Sequence, residues 1–135
     1  HKLIRSILED KDFPLHEGSE HHVRSYTNVD DIVQACDLVV KNLDVAVGEI
    51  FNIGTDKTIT TGEGIKIIER LLGKPARIVV TPKRPGDQKE TGANIEKARR
   101  VFGYNPVVGV EEGLLQQVVW YKDKLHNKLY RKEEK

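Results

Sequence analysis

The sequence predicts an α/β fold, a small mixed domain of short strands and about five helices. Segments with apolar residues at helical spacing alternate with short runs rich in β-branched residues, and this alternation is typical of α/β proteins. Residues that begin or end helices, such as Thr60 and Gly73, divide the segments. The 135 residues fit one domain with a single sizeable core.

The first elements are a helix and two extended segments. In residues 2–10 the apolar side chains fall on one helical face. Residues 13–16 are predicted to be extended, because the residue before Pro14 is pushed out of the helical conformation. After a polar loop, the alternation in residues 23–27 predicts a strand or an edge segment.

A longer helix is predicted next, with Asp30 or Asp31 as its cap and its end near Leu43. Cys36 is the single cysteine, so it cannot form an internal disulfide, and its apolar neighbours predict a small core side chain. The predicted buried stripe consists of Ile32, Val33, Cys36, Val39, Val40 and Leu43.

The middle of the chain is predicted to form strand, helix and strand. Residues 49–54 read as a buried strand and residues 77–81 as the next strand. Between them Thr60 or Thr61 caps a helix that Gly73 and Pro75 end. The apolar residues of this helix are Ile65, Ile68, Leu71 and Leu72.

The last third is predicted to hold a loop and two helices. Residues 82–92 form a long polar loop, and Asn94 caps a short helix over residues 95–102 that ends at Gly103. The final helix runs from about Glu111 towards Lys128. Residues 126–135 are predicted to be a charged, frayed tail, because the last five have no apolar side chain.

Composition and charge exclude several classes of protein. The hydrophobic fraction of 38% and the charged fraction of 32% suit a soluble globular chain. A net charge of +1 argues against a nucleic-acid partner. No apolar run is long enough for a membrane span, and no export-type segment opens the chain. We therefore expect no membrane partner, and a reducing, cytoplasmic setting.

Arg84-Pro85-Gly86-Asp87 is the better defined of two arginine motifs. Proline fixes one backbone angle, and glycine permits a turn that other residues cannot make. Asp87 can accept hydrogen bonds from sugar hydroxyls or hold Arg84 in place. A loop of this length is more often functional than inert. A plain proline-glycine turn remains the simpler alternative for the motif alone.

Arg24 stands in the second arginine motif, residues 24–31. A strand beside a capped helix would fix its guanidinium, whose planar fork donates two parallel hydrogen bonds to phosphate. Two such arginines would suit a diphosphate. A surface arginine paired with an acidic neighbour explains Arg24 equally well.

Other candidate sites are weaker. His16, His21 and His22 lack the spacing and the accompanying ligands of a metal site, so no metal is predicted. Helix capping explains Asp30 and Asp31 better than paired acid/base carboxylates do. A basic stretch could attract anions to the nearby loop or form a solvated helix face. It consists of Lys83, Lys89, Lys97, Arg99 and Arg100.

Several motifs together resemble one family. In order they are Pro14-Leu15-His16-Glu17-Gly18, Arg24-Ser25-Tyr26-Thr27-Asn28-Val29-Asp30-Asp31, Gly48-Glu49-Ile50-Phe51-Asn52-Ile53-Gly54, Arg84-Pro85-Gly86-Asp87, Lys97-Ala98-Arg99-Arg100-Val101-Phe102-Gly103-Tyr104-Asn105-Pro106, Glu111-Glu112-Gly113-Leu114 and Val119-Trp120-Tyr121. Their order and spacing resemble the C-terminal part of nucleotide-sugar epimerases and dehydratases, which are extended short-chain dehydrogenase/reductases. UDP-glucuronate 4-epimerases resemble the chain most, followed by dTDP-glucose dehydratases and UDP-glucuronate decarboxylases.

The resemblance implies a role for each of six substrate-binding residues. Arg24 and Arg84 would grip the nucleotide diphosphate, and Asp87 would contact the ribose.

The other three would lie beside the substrate. Tyr26 matches an aromatic position next to it, and Leu15 and His16 match the pair that lies against the base. His16 stands where Phe or Tyr is usual, and Asn28 stands where Tyr or His is more common.

The resemblance also implies NAD as the cofactor of the parent family. The glycine-rich loop and the Tyr-x-x-x-Lys catalytic pair of that family lie in an N-terminal Rossmann domain, and this sequence contains neither motif. We therefore expect no catalytic residue and no bound NAD in this chain, and no activity of the chain alone. Residues 1–125 would form the nucleotide-sugar binding domain, as an expressed fragment or a natural truncation.

Three interpretations remain open. The chain is the substrate-binding part of an NAD-dependent epimerase or dehydratase, a stand-alone module that binds a nucleotide-sugar or a protein, or an inert remnant. The expected partners are a UDP- or dTDP-sugar, the missing Rossmann domain or another chain, and a second copy through exposed apolar surface. Candidates for that surface are Val29, Ile32, Val33, Val39 and the face from Leu114 to Tyr121.

Overall fold

A computed structural model describes residues 1–126 and confirms a small mixed α/β fold with short strands. The helices are α1 Lys2–Leu8, α2 Val29–Lys41, α3 Leu43–Ala46, α4 Thr61–Leu72, α5 Glu96–Phe102 and α6 Val110–Trp120. The strands are β1 Asp12–His16, β2 Val23–Ser25, β3 Thr58–Thr60, β4 Arg77–Thr81 and β5 Glu90–Thr91. A 3₁₀ turn, Ser19–His21, and a π-helical segment, Tyr121–His126, complete the described elements.

The chain divides into two compact units. The first comprises His1–His22, Thr60–Lys89 and the described residues from Leu114 onward. The second comprises Val23–Ile59 and Glu90–Gly113.

The first unit is built on two parallel strands, β1 and β4, with Leu15 opposite Val80 and His16 opposite Thr81. Helix α1 packs against α4 in the same unit. Parallel strands run in the same direction, so the carboxyl ends of β1 and β4 lie at one edge of this sheet. The buried apolar residues of the unit are Leu3, Ile4, Ile7, Ile68, Leu114, Val118 and Tyr121.

Helix α4 begins and ends as the sequence predicts. Thr60 Oγ1 accepts a hydrogen bond from the Glu63 N–H, and the Glu63 carboxylate accepts one from the Thr60 N–H, which is a complete capping box. Gly73 ends the helix with φ of 66°, in the left-handed region that favours glycine. The prediction of Thr60 as a cap and Gly73 as the end is confirmed.

The second unit contains a three-stranded sheet in the order β3-β2-β5, in which β2 and β5 are parallel. Its core cluster consists of Ala35, Ile95, Ala98, Phe102 and Tyr104. The Tyr104 hydroxyl donates a hydrogen bond to the Gly54 carbonyl at 2.7 Å.

The predicted cap of α2 is wrong. Asn28 is the cap, because its Oδ1 accepts the Asp30 N–H at 2.8 Å. Asp31 is buried, and its Oδ1 accepts the Val107 N–H at 2.9 Å.

The predicted buried stripe of α2 is also wrong. The face of α2 turned to the core carries Asp31 and Ala35, with Leu38 and Val39 partly buried. Helical periodicity reveals an apolar stripe, but it does not say which neighbour covers that stripe. The exposed members are Ile32, Val33, Cys36, Val40 and Leu43.

Val29, Ile32 and Val33 were also predicted as candidates for exposed apolar surface that a partner could cover. All three are exposed, in agreement with that second prediction. Val39 is instead partly buried. The face from Leu114 to Tyr121 divides: Leu114, Val118 and Tyr121 are buried, whereas Leu115, Val119 and Trp120 are exposed.

Residues 49–54 do not form the predicted strand. Two backbone carbonyls of this segment accept hydrogen bonds from side chains, that of Gly54 from Tyr104 and that of Ile50 from Lys97. A Cβ on Gly54 would lie 2.7 Å from the Ala93 Cβ, so the segment approaches its neighbour too closely for a larger residue. Ile50 is exposed.

The remaining helix predictions are confirmed in part. Helix α1 begins at Lys2 as predicted and ends at Leu8, two residues early. Gly103 ends α5 as predicted, with φ of 68°. The predicted cap of α5 is displaced by one residue: the helix begins at Glu96 with Ile95 in the cap position, whose side chain makes no capping bond, and Asn94 Oδ1 accepts the Glu96 N–H from one residue further back. Helix α6 begins one residue before Glu111, and the predicted tail from residue 127 onward lies outside the described residues. In the part of the chain that the structure describes, no helix is both long and apolar enough to cross a membrane.

Candidate functional site

The loop that follows β4 turns sharply at Arg84-Pro85-Gly86-Asp87. The Asp87 N–H donates to the Arg84 carbonyl at 3.4 Å. Gly86 has φ of 80°, which is the conformation that the third residue of a type II turn requires. Proline is favoured at the second position of this turn. The four residues therefore specify the turn locally.

Across this turn Asp87 holds the guanidinium of Arg84. Both Nε and Nη2 of Arg84 donate to the same oxygen, Oδ1 of Asp87, the Nε bond at 3.0 Å. The Arg84 side chain is 63% exposed and that of Asp87 is 16% exposed. The pair thus fixes one edge of the guanidinium and leaves the rest of an exposed cation facing water.

The charges around Asp87 favour its ionised form. The hydrogen bonds from Arg84 are the largest cause that lowers the pKa of Asp87 below its ordinary value. The positive charge of Arg84 lowers this pKa further, and partial desolvation opposes it. Asp87 is therefore a carboxylate at neutral pH.

His16 lies at the end of β1, next to the start of this loop. Its Nδ1 is 2.9 Å from the Pro82 carbonyl oxygen and 2.9 Å from Thr81 Oγ1. Leu15 is half-buried in the same strand. The first unit therefore brings four of the six predicted site residues to one region: Leu15, His16, Arg84 and Asp87.

The other two predicted residues belong to the second unit. Arg24 is half-buried in β2, with its Cα opposite Thr91, and its Nη1 donates to the Val23 carbonyl at 2.8 Å. Tyr26 is half-buried just after β2. Their predicted contacts with a substrate rest on the resemblance and stay predictions.

Members of the two other candidates from the sequence, the Asp30–Asp31 carboxylates and the basic stretch, make contacts within the second unit. Asp31 is buried and accepts a hydrogen bond from the Val107 N–H, whereas Asp30 is exposed. The two carboxylates therefore do not form a catalytic pair. Lys97 bonds to Glu49 at 2.6 Å, and Arg99 bonds to Asp56 at 2.9 Å. These two cations of the basic stretch are engaged on the surface of the second unit.

Within residues 1–126, no group of three or more His, Cys, Asp and Glu side chains could hold a metal ion. The contacts of His16 with Thr81 and Pro82, which are 65 and 66 residues away, were not predicted. No short motif marks such a contact, because it depends on the register of two strands distant in sequence.

Comparison with known proteins agrees with the motifs. The sequence model of the family described as GDP-mannose 4,6 dehydratase matches residues 1–117. UDP-glucuronate 4-epimerase 2 of Arabidopsis thaliana is 33% identical over 133 residues, covering 88% of this chain and 31% of the plant protein.

Two solved structures have the same fold. UDP-glucuronic acid 4-epimerase from Bacillus cereus, in complex with UDP-glucuronic acid and NAD, matches 90% of this chain with a TM-score of 0.82 and 30% identity. A dTDP-glucose 4,6-dehydratase from Bacillus anthracis, in complex with NAD, matches 93% with a TM-score of 0.78 and 31% identity.

This chain spans only part of each of these proteins. It covers 38% of the B. cereus chain and 39% of the B. anthracis chain, about a third of the relatives' length. The match to the family model nevertheless extends over most of this chain. The chain therefore belongs to the family described as GDP-mannose 4,6 dehydratase, among the extended short-chain dehydrogenase/reductases that act as nucleotide-sugar epimerases and dehydratases.

Proposed function

We propose that this chain binds the nucleotide diphosphate of a UDP- or dTDP-sugar, as the substrate-binding part of an NAD-dependent epimerase or dehydratase. The observation that carries the proposal is the exposed guanidinium of Arg84, oriented by Asp87 on a turn that its own sequence specifies. A cation fixed before the ligand arrives loses less conformational entropy on binding.

The unoccupied edge of Arg84 has the geometry that phosphate needs. Asp87 occupies the Nε–Nη2 edge, and within residues 1–126 the guanidinium has no other partner. The opposite edge, formed by Nη1 and the second N–H of Nη2, can donate two parallel hydrogen bonds to a phosphate. The Asp87 carboxylate keeps this fork oriented and remains ionised at neutral pH.

Asp87 has capacity for a second role in the same complex. The bonds from Arg84 use Oδ1 alone, so Oδ2 can accept a hydrogen bond from a sugar hydroxyl. One residue would then contact both the phosphate-binding arginine and the ribose. Leu15 and His16, at the end of β1, are the residues that we propose lie against the base.

The relatives support the class of ligand. The B. cereus structure contains UDP-glucuronic acid together with NAD, and the B. anthracis structure contains NAD. We propose NAD as the cofactor of the whole protein, in which it would oxidise the sugar transiently. The residues of this chain would bind and orient the nucleotide end of the substrate.

Calorimetric titration of the purified chain with UDP, UDP-glucuronate and dTDP-glucose tests the proposal, with uridine as the matched ligand that lacks phosphate. We expect saturable binding of UDP and of at least one sugar conjugate, and no binding of uridine at the same concentrations. Equal binding of uridine and UDP would contradict a diphosphate site, and so would no binding of UDP at millimolar concentration.

A further inference from the structure

His16, the last residue of β1, contacts the loop that follows β4. Its Nδ1 lies 2.9 Å from the carbonyl oxygen of Pro82, the first residue after β4. A carbonyl oxygen can only accept a hydrogen bond, so Nδ1 carries the ring proton of neutral His16 and donates it. The hydroxyl of Thr81, also 2.9 Å from Nδ1, is a second possible acceptor for this proton.

The backbone makes a second connection at the same place. The Glu17 N–H donates to the Thr81 carbonyl at 2.9 Å. The ladder between β1 and β4 therefore continues for one bond past His16, and the histidine side chain adds a bond to the next carbonyl along. Together they hold the first residue of the loop against the end of β1.

Between Pro82 and Asp87 the loop has few connections of its own. Residues 83–86 are exposed, and the next bonds are those between Arg84 and Asp87, within the turn itself. Those bonds fix the shape of the turn and do not attach it to the sheet. A segment with few buried contacts moves unless its ends are held.

We propose that His16 is a positioning residue, which holds the Arg84 loop against β1 through the bond from Nδ1 to the Pro82 carbonyl. This role differs from contact with the base, and it assigns a function to the imidazole that an aromatic hydrocarbon ring could not perform. The consequence for ligand affinity rests on the proposed nucleotide binding, whereas the attachment of the loop does not.

Three substitutions of His16 distinguish the effect of its hydrogen bond to Pro82 from the effect of its ring. His16→Asn keeps an N–H donor as many bonds from the backbone as Nδ1 is, whereas His16→Gln moves the donor one bond further out. His16→Phe keeps a ring and removes the donor. Thr81→Val serves as a control that removes the neighbouring hydroxyl and leaves the Pro82 carbonyl in place.

Backbone ¹⁵N relaxation of residues 83–87 and titration with UDP are the two readouts, with circular dichroism to verify folding. In wild type, His16→Asn and Thr81→Val we expect order parameters near those of rigid backbone, about 0.85. We expect Thr81→Val to bind UDP within about twofold of wild type, because it keeps both the His16 ring and its bond to the Pro82 carbonyl. In His16→Phe and His16→Gln we expect order parameters below about 0.6 and a three- to tenfold weaker affinity, roughly that of one lost hydrogen bond.

Unchanged order parameters in folded His16→Phe would overturn the proposal. A mobile loop in His16→Phe with wild-type affinity for UDP would overturn the positioning role. If wild type itself does not bind UDP, the proposed function fails, and the order parameters still decide whether His16 holds the loop.

Discussion

Asp31 in the second unit and Asp87 in the first show how differently the two units use one type of side chain. Asp31 is 1% exposed, and its carboxylate accepts a backbone N–H inside the unit. Asp87 lies in an exposed loop and orients an arginine that faces water. The environment, and not the residue type, decides whether a carboxylate supports packing or presents a binding group.

The same contrast extends to the other polar groups. In the second unit the buried Tyr104 hydroxyl bonds to the Gly54 carbonyl, and Ser25 donates to the Thr55 carbonyl at 2.8 Å. In the first unit the polar contacts of His16 and Arg84 lie beside and within an exposed loop. Substitutions of core residues, or of polar residues buried in the second unit, should therefore lower stability, whereas substitutions in the Arg84 loop should lower ligand affinity and leave stability nearly unchanged.

Phe102→Ala should have the largest effect on stability. Phe102 is 8% exposed in the core cluster, and its ring lies 4.4 Å from that of Phe51. Removing a buried aromatic side chain and leaving a cavity costs about 3–5 kcal/mol of unfolding free energy. Urea denaturation measures this loss, with exposed Arg100→Ala as the control. A loss below about 1 kcal/mol would mean that the core cluster contributes little to the stability of the second unit.

Tyr104→Phe should cost less, about 1–3 kcal/mol, because it leaves the buried Gly54 carbonyl without its donor. Burial, and then the negative charge of Asp31, raise the pKa of Tyr104 above its ordinary value. A group with a raised folded pKa contributes stability below its unfolded pKa, about 10, and that stability is lost as pH rises through the folded pKa.

Unfolding measured from pH 8 to 11 tests the sign of this effect. We expect the stability of wild type to fall above about pH 10, and that of Tyr104→Phe to fall less steeply. Parallel pH curves for the two proteins would show that the ionisation of Tyr104 is not linked to folding.

Thr60→Ala should cost about 1 kcal/mol, which is the usual value of a helix cap. The threonine hydroxyl accepts the Glu63 N–H, and its removal leaves that donor to water. Thermal unfolding compares this variant with Thr58→Ala, at an exposed position two residues earlier. Equal melting temperatures for the two variants would mean that the capping box adds nothing to the first unit.

Cys36→Ser should have the smallest effect, within about 0.5 kcal/mol, because the thiol is exposed on α2. The folded protein should also react fully with a thiol reagent, at a rate close to that of the unfolded chain. A protected thiol, or a loss of more than about 1 kcal/mol, would restore the core position that the helical pattern predicted for Cys36.

The sequence predicted what is decided locally. Thr60 and Gly73 mark the ends of α4 through the bonds and backbone angles of their own neighbours, and Pro85 with Gly86 specifies the turn that carries Arg84. The exposure of Cys36 and Val40 on α2 was not predicted, because an apolar stripe does not reveal what covers it. The contact of His16 with Pro82 joins residues 66 positions apart, so it depends on strand register.

The most direct test of the binding proposal is the affinity for UDP of wild type, Arg84→Ala and Arg77→Ala. Arg77 is a matched control, because its side chain is 65% exposed, in the same unit, and bonds to Asp12 at 3.0 Å. A charged hydrogen bond contributes about 1.5–3 kcal/mol, so Arg84→Ala should bind UDP roughly 10- to 100-fold more weakly with stability nearly unchanged. Arg77→Ala should bind like wild type. Equal affinities for wild type and Arg84→Ala, or an equal loss in both variants, would contradict a phosphate site at Arg84.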